Sequence, residues 1–197
     1  MERLGRDFFA RDTLAVAREL LGQRLVRVLE GKRLSGRIVE VEAYVGEEDQ
    51  ACHARSGRTE RNASMYGLPG CAYVYFIYGM HHCLNVVTEQ EGFPAAVLVR
   101  ALEPLEGIDV MRARRGGRTE VELVSGPARL CQALAIDRQF DGADLCESDA
   151  DLFIEQEEGV PGGAVVTGPR VGVRGDDAAL AALWRFCVRD SRYVSRR

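Results

Sequence analysis

Several signals of common protein classes are missing from this chain of 197 residues. No run of about 18 apolar residues is present, which argues against a membrane-spanning helix. Residues 1–7 lack the apolar core of a signal peptide, so we expect a cytoplasmic protein. Glycine-rich phosphate loops of the G-x-G-x-x-G and G-x-x-x-x-G-K-[ST] types are also absent. We therefore expect no nucleotide cofactor.

Metal-binding and hydrolase patterns are missing as well. The six cysteines form no C-x-x-C pair. We expect free thiols, mostly as small, buried apolar side chains. No H-E-x-x-H motif is present, so we expect no metal. A metal-dependent hydrolase using Glu42, His53, His81 and His82 is a weaker alternative, because adjacent histidines point apart. The absence of a G-x-S-x-G elbow argues against a serine hydrolase.

Lysine is almost absent, and arginine supplies nearly all the positive charge. Lys32 is the only lysine, and it lies in a predicted turn between two strands. The formal net charge is -4 at pH 7. Such a charge neither requires nor excludes a nucleic-acid partner, because one face can be basic while the whole protein is acidic.

The most informative stretch is residues 38–53, which begins as an apolar strand and ends in an acidic loop. Strand alternation places Glu40, Glu42 and Tyr44 on one face and the apolar residues at 39, 41 and 43 on the other. Residues two apart on a strand face lie about 7 Å apart, so a flat ring stacked on Tyr44 would have its reacting atom near Glu42. His53 follows in the loop. The alternative is an edge strand with solvated glutamates.

Hydrophobic periodicity and turn residues predict a mixture of helices and strands. Helices are predicted at 12–21, 105–115, 127–135 and 177–182. Strands are predicted at 24–29, 34–44, 71–78, 83–88, 95–102, 151–154, 164–173 and 184–189. Residues 45–70 form a loop long enough to indicate function. No repeat or linker interrupts the pattern, so we expect one α+β domain over residues 1–197.

Arg100 is unusual because it lies inside an apolar strand. A buried arginine needs an acidic partner or an anionic ligand, and Glu40 and Glu42 are the natural candidates. A purely structural ion pair is an equally good explanation from this feature alone. We expect Glu40 to be structural.

An aromatic hairpin and an arginine-rich loop complete the pattern. Tyr73 and Tyr75 share one strand face, with Tyr78 at the tip of the hairpin and Asn85 on the returning strand. The alternative is that the tyrosines are core or sheet surface. Phosphate contacts are expected from the helix start at 126–128 and from three loop arginines, Arg55, Arg58 and Arg61. An equally good alternative is that these arginines belong to a solvated loop. Together these residues suggest a slot for a nucleobase turned out of the duplex.

The sequence resembles the alkyladenine (3-methyladenine) DNA glycosylases of the mammalian type, from Gly5 to about Ser195. The resemblance implies a single mixed α/β domain with a curved antiparallel sheet, flanking helices and a protruding aromatic β-hairpin. The motifs that carry it are Ile38-Val-Glu-Val-Glu-Ala-Tyr44, Glu48-Asp49 with His53, Pro69-Gly70, Tyr73-Val-Tyr-Phe-Ile-Tyr-Gly-Met80, Asn85, Val97-Leu-Val-Arg-Ala-Leu-Glu-Pro-Leu-Glu-Gly107, Ser125-Gly-Pro127, Leu130-Cys-Gln-Ala-Leu-Ala-Ile136 and Arg170-Val-Gly-Val173.

Enzymes of this family remove alkylated or deaminated purines from DNA, including 3-methyladenine, hypoxanthine and ethenoadenine, by cutting the N-glycosidic bond. The resemblance implies that Glu42 is the general base and that Arg100 helps to hold the attacking water. It also implies that the partner is double-stranded DNA with a damaged purine. We expect a monomer that associates with the nucleoid.

The resemblance also assigns the base pocket. Tyr44 matches one wall, with His53 and Tyr75 on the other side. Asn85 matches the residue that disfavours guanine through its 2-amino group, and Tyr78 matches the side chain that intercalates into the duplex. The chain departs from the mammalian pattern in a shorter loop at 57–62 and in the histidine pair at 81–82.

The lysine count bears on the reaction type. A glycosylase that also cuts the DNA strand uses an amine to form a Schiff base. Lys32 is predicted to lie in a turn, and the α-amino group is the alternative amine. We therefore expect a monofunctional glycosylase without lyase activity. A non-catalytic nucleic-acid-binding domain is the competing class, and Glu42 with Arg100 is the feature that argues against it.

Overall fold

The computed structural model describes residues 2–77 and 79–195. It is an α+β structure built on an antiparallel sheet of eight strands. The strands are β1 (Arg24–Leu29), β2 (Lys32–Val45), β3 (Ala72–Ile77), β4 (His81–Val87), β5 (Ala95–Glu106), β6 (Leu152–Glu155), β7 (Val165–Gly168) and β8 (Arg185–Val188). The described α-helices are α1 (Arg6–Phe9), α2 (Thr13–Leu20), α3 (Ile108–Arg114), α4 (Glu120–Leu123), α5 (Pro127–Ala133) and α6 (Asp177–Ala181). Short 3-10 helices lie at Ala63–Tyr66, Arg138–Phe140 and Gly162–Ala164.

Strand β2 is the interior strand on which the sheet is centred. The main path of hydrogen-bonded neighbours is β3-β4-β5-β2-β1-β6, and β8 pairs with both β2 and β7. The β2 strand therefore has β5 on one side, with β1 and β8 on the other side at different heights. The alternative of an edge strand with solvated glutamates is wrong, because Glu40 and Glu42 are both fully buried.

The turn between β1 and β2 is shorter than predicted. Glu30 and Gly31 have positive φ angles of 50° and 75°, the pattern of a tight two-residue hairpin turn whose twist matches the strands. Lys32 pairs with Leu29 and so begins β2 instead of lying in the turn.

Capping residues correctly predict where α2 and α5 begin. Asp12 caps α2 by accepting a hydrogen bond from the Ala15 amide at 2.8 Å, and α5 begins at Pro127 as expected. The short helices α1 and α4 are not predicted, since each has only four residues. A helix that short carries too little periodicity to be recognised.

Two boundaries are wrong for identifiable reasons. Strand β5 continues to Glu106, so α3 begins at Ile108 and not at 105; the turn between them is made by Gly107, with φ of 70°. Strand β7 ends at Gly168 and not at 173, because Pro169 has no N–H to give to a ladder. The chain then leaves the sheet just before residue 170.

The two faces of the sheet have different neighbours. One face forms the main core with helices α2 and α5, and Val41, Ala43, Val97 and Val99 belong to it. On the opposite face a smaller apolar cluster forms under the long loop; its buried members are Cys52, Ala54, Met65, Tyr73, Val87 and Ala96, with Tyr44, Tyr66 and Tyr75 packed against them.

Three further expectations can be compared with the structure: free cysteines, no membrane-spanning helix and an aromatic hairpin tip. All six cysteines are free, and four are buried. In the described part of the chain, no helix has the length and apolar character required to span a bilayer. Strands β3 and β4 pair in antiparallel register from Ala72–Val86 to Ile77–His81. Tyr78 lies outside the described residues, so the protruding aromatic tip stays a prediction.

Gly107 should be indispensable at the junction of β5 and α3. A Cβ atom there would lie 2.8 Å from the Arg33 carbonyl oxygen and 2.9 Å from Leu34 Cγ, whereas a Cβ at Gly31 would meet nothing within 4 Å. Both glycines have positive φ. We predict that Gly31→Ala lowers the free energy of unfolding by about 1 kcal/mol, the cost of a left-handed residue. We predict that Gly107→Ala lowers it by about 3 kcal/mol, because overpacking is added to the same backbone cost. Urea unfolding of both variants checks this, and equal losses would contradict it.

Candidate active site

Glu42 is a fully buried carboxylate whose two oxygens are held differently. Oε1 accepts a hydrogen bond from the Val171 amide at 2.6 Å. Oε2 accepts hydrogen bonds from the Tyr44 hydroxyl at 2.8 Å and from Arg100 Nη1 at 3.2 Å. The prediction that Glu42 and Tyr44 share a face is therefore confirmed. The Val171 contact was missed, because residues 164–173 were predicted to be one strand.

Arg100 reaches the glutamates from a bulge in β5. Glu40 pairs with Ala101 and Val41 pairs with Val99, so Arg100 is the extra residue between them. Bulges re-aim side chains in this way. Arg100 Nε donates to Glu40 Oε1 at 2.9 Å, while Nη1 donates to Glu42. Burial alone lowers the pKa of Arg100, but the carboxylates of Glu42 and Glu40 outweigh it and the net pKa is raised.

Glu40 is the most heavily hydrogen-bonded carboxylate of this group. Besides Arg100, its Oε1 accepts from Arg185 Nε at 2.8 Å and from the Ser195 hydroxyl at 3.0 Å. Its Oε2 accepts from the Ser195 amide at 2.5 Å. Two carboxylates and two guanidinium groups thus form one network, in which Glu40, Glu42 and Arg100 are buried and Arg185 is half-buried. Glu40 is satisfied entirely by protein donors.

An aromatic cluster lies beside this network. The rings of His53 and Tyr75 meet edge to face, with centroids 4.5 Å apart and an interplanar angle of 85°. Tyr73 and Tyr75 are tilted neighbours at 5.6 Å, and the predicted shared face is confirmed. His53 Nδ1 and the Tyr73 hydroxyl are 2.8 Å apart. Tyr44 packs on the same apolar cluster as Tyr73 and Tyr75.

A buried arginine, Arg170, packs against the Tyr44 ring. The Arg170 guanidinium lies 4.8 Å from the Tyr44 ring centroid and 4.9 Å from the Trp184 ring centroid. Both of its terminal nitrogens donate to Asp49, at 2.6 and 2.8 Å. This pairing was not predicted from the sequence, because 121 residues separate the partners. The sequence did contain one signal for a buried ion pair at Arg170: like Arg100, it is a charged residue in an apolar segment.

The loop that carries His53 is held by Asn62. The Asn62 amide Nδ2 donates to the carbonyl oxygens of His53 and Gly57, both at 3.0 Å. Its Oδ1 accepts from the Thr59 amide at 2.6 Å. Asn62 is only 2% exposed, so these bonds fix the backbone on both sides of the loop.

The environment of His53 favours its neutral form. Although the residue is exposed to solvent, partial desolvation of the ring lowers its pKa, and the positive charges of Arg61 and Arg55 lower it further, to about 4. The neighbouring phenols are affected in the opposite sense for the same reason. Burial is the main cause that raises the pKa of Tyr44, Tyr73 and Tyr75.

Asn85 lies on the same sheet face, across β5 from Glu42. Leu98 pairs with Glu42 on one side and with Asn85 on the other. Asn85 is 3% exposed, and its Nδ2 donates to the Tyr73 carbonyl oxygen at 3.0 Å. The sheet register therefore brings Asn85 into line with the carboxylate and the aromatic cluster.

The predicted phosphate-binding arginines are exposed around the loop. Arg55 donates to the Gln50 carbonyl oxygen at 3.3 Å, and Arg58 lies 5.7 Å from the Tyr66 ring centroid. Arg61 and Arg55 are close enough to His53 for their positive charges to lower its pKa. Tyr78, predicted to intercalate, lies outside the described residues.

A second arginine cluster, not predicted from the sequence, surrounds Arg115. Burial lowers the pKa of Arg115 first, and the neighbouring charges of Arg129 and Arg118 lower it further. Arg114 lines a cleft together with Met80, His81 and His82 at the end of the β3–β4 hairpin. The repeated arginines at 112–118 were the signal.

The alternative metal cluster does not assemble. Both oxygens of Glu42 accept from protein donors, His53 pairs with Tyr73, and His82 lies against Phe76 with ring centroids 5.0 Å apart. Over residues 2–77 and 79–195, no three His, Cys, Asp or Glu side chains are grouped to hold a metal ion.

Comparisons with known proteins agree on one family. The family model described as methylpurine-DNA glycosylase matches residues 7–192. A protein of Methanocella arvoryzae is 51% identical over 200 residues, covering 100% of this chain and 98% of its own length. A protein of Desulfitobacterium hafniense is 48% identical over 204 residues, covering 99% of each chain. Both are named "Putative 3-methyladenine DNA glycosylase".

His53 offers a direct test of the electrostatics around the aromatic cluster. We predict that an NMR titration shows His53 changing charge near pH 4, below its ordinary value of 6.5. Because the folded pKa is the lower one, the unfolded state binds the proton first, and stability is lost as pH falls from 6.5 to 4. Arg61→Gln should raise the His53 pKa. Arg58→Gln is the control, since Arg58 contacts Tyr66; an equal shift in both variants would contradict the assignment.

Proposed function

The chain belongs to the methylpurine-DNA glycosylase family, and from that premise we propose that it excises damaged purines from double-stranded DNA. The reaction is hydrolysis of the N-glycosidic bond of alkylated or deaminated purines such as 3-methyladenine, hypoxanthine and ethenoadenine. The products are a free base and an abasic site. A single observation carries the proposal: a carboxylate, Glu42, is buried between an arginine and the hydroxyl of an aromatic wall.

The aromatic cluster supports a pocket for an extruded base. Tyr44 forms one wall, with His53 and Tyr75 on the other side. Extrusion costs a few kcal/mol, and each base–ring contact returns about 1–3 kcal/mol. A base made cationic by alkylation gains further from the electron-rich ring faces. Tyr78 is proposed to occupy the gap left in the duplex.

Glu42 is proposed to activate the attacking water. A carboxylate has about four acceptor sites, two on each oxygen. Oε2 already accepts two hydrogen bonds and Oε1 accepts one, so we propose that the water binds at Oε1. Glu42 takes the proton of this water as it attacks C1′. Its negative charge also stabilises the developing oxocarbenium ion, and Arg100 holds the carboxylate in place.

His53 is proposed to read the edge of the base. At neutral pH the ring is uncharged, so one nitrogen accepts and the other donates. If the Tyr73 hydroxyl donates to Nδ1, the proton lies on Nε2, which can then donate to an acceptor of the purine. Asn85 is proposed to limit the space available to the 2-amino group of guanine.

Two arginine clusters are proposed to contact the DNA backbone. One is the loop group, Arg55, Arg58 and Arg61, and the other is the group near Arg115. We propose that a single copy of the chain acts on the duplex. Association with the nucleoid in the cytoplasm stays a prediction. A non-catalytic binding domain would have no use for a buried carboxylate facing phosphate-rich DNA.

Replacement of Glu42 tests the proposal. We predict that the wild-type protein releases free base from a duplex containing hypoxanthine, in the presence of a chelator as well as in its absence. Glu42→Gln should bind the same duplex but excise at least ~100-fold more slowly, the usual range for loss of a general base. The exposed Glu48→Gln is the control. Near-normal turnover by Glu42→Gln, or loss of wild-type activity in chelator, would count against the proposal.

Absence of lyase activity is a separate prediction. Lys32 and Glu42 are ten positions apart on β2, which corresponds to about 30 Å along the strand. The only lysine side chain therefore cannot reach the same sugar. We predict that borohydride traps no covalent complex with a lesion duplex, although a lyase-proficient glycosylase does so in parallel. A trapped adduct would show that an amine takes part.

A further inference from the structure

The guanidinium of Arg100 is held on three sides by three different residues. Nε donates to Glu40 Oε1 at 2.9 Å and Nη1 donates to Glu42 Oε2 at 3.2 Å. Nη2 donates to the Ser195 hydroxyl at 3.0 Å. Of these three contacts, only the one from Nη1 involves Glu42, the proposed general base. The other two contacts anchor the arginine on the side away from Glu42.

Ser195 joins the two anchors to each other. Its hydroxyl accepts from Arg100 Nη2 and donates to Glu40 Oε1, in both cases at 3.0 Å. Its backbone amide donates to Glu40 Oε2 at 2.5 Å. One serine therefore ties the carboxylate and the guanidinium together through both of its polar groups.

This arrangement determines where Nη1 can lie. A guanidinium group is planar and rigid, and its N–H donors point within that plane. Hydrogen bonds at Nε and Nη2 therefore fix one edge of the group and favour one orientation of its plane, which together place Nη1. With the Ser195 hydroxyl present, Nη1 is held at Glu42 Oε2. Without it, the edge of the group away from Glu42 keeps only the Nε bond to Glu40. The guanidinium can then tilt, and the contact with Glu42 loses its fixed geometry.

The segment that carries Ser195 is anchored independently of this hydroxyl. Tyr193 is 6% exposed and packs with Val39 and Ala101. Its hydroxyl donates to Glu120 at 2.8 Å, and the Ser195 amide bond to Glu40 is a backbone contact. Removal of the hydroxyl alone should therefore leave the segment in place.

We propose that Ser195 is a positioning residue for base excision, which acts through Arg100 to hold the carboxylate of Glu42 in line with the attacking water. The inference rests on the proposed function. It predicts that Ser195 contributes to the chemical step and not to DNA binding, because Arg100 and Glu40 are almost completely buried.

Three serine variants test this under single-turnover conditions with a hypoxanthine duplex. Ser195→Ala removes the hydroxyl, Ser195→Thr retains it, and Ser191→Ala is the control in the same segment. The Ser191 hydroxyl accepts from the Tyr193 amide at 3.3 Å and belongs to no part of the network. Small misplacements of catalytic groups are costly, so we expect Ser195→Ala to excise about tenfold more slowly at saturating enzyme. Dissociation constants for the lesion duplex should agree within about twofold across the variants.

The outcomes separate the inference from the proposed function. Wild-type excision with an unchanged rate for Ser195→Ala would overturn only the role of Ser195. So would equal slowing by Ser191→Ala, no rescue by Ser195→Thr, or a rate loss matched by weaker binding or a lower melting temperature. If the wild-type protein releases no damaged purine, the proposed function fails, and the inference fails with it.

Discussion

The pairing of one buried arginine with two buried glutamates is the constraint on which the rest of the site depends. Glu40 and Glu42 are fully buried on an interior strand, where an uncompensated charge would be very costly. Arg100 forms ion pairs with both glutamates, and it can do so only because a bulge in β5 turns its side chain toward them. Arg185 and Ser195 complete the hydrogen bonds of Glu40. The network is thus neutral as a whole, while Glu42 keeps an acceptor site.

The sheet separates stability from the proposed chemistry. Its helix-covered face is apolar and continuous, so β2 and β5 are held rigidly from one side. The other face carries the carboxylates, the tyrosines and a loop fixed by Asn62 and by the Arg170–Asp49 pair. Side chains whose positions must be precise to a few tenths of an ångström therefore lie on strands and not on flexible segments, as catalytic sites require.

Much of this arrangement could be predicted from the sequence where it depends on local pattern. Period-two alternation put Glu42 and Tyr44 on one face, and an arginine inside an apolar strand pointed to the glutamates. The bulge at Arg100, the amide of Val171 and the bond from Ser195 to Glu40 could not be predicted. Each joins segments more than 50 residues apart, and such contacts depend on register and packing that no local window contains.

The central claim is that Arg100 serves excision by acting through Glu42. The most direct test is a double-mutant cycle that measures single-turnover release of hypoxanthine by Arg100→Lys, Glu42→Gln and the double variant, over hours where necessary. Lysine keeps the charge but loses the planar three-sided grip. We predict that Arg100→Lys slows excision when Glu42 is present but causes no further loss in the Glu42→Gln background, as for groups that act as a unit. Losses that multiply in the double variant would contradict it.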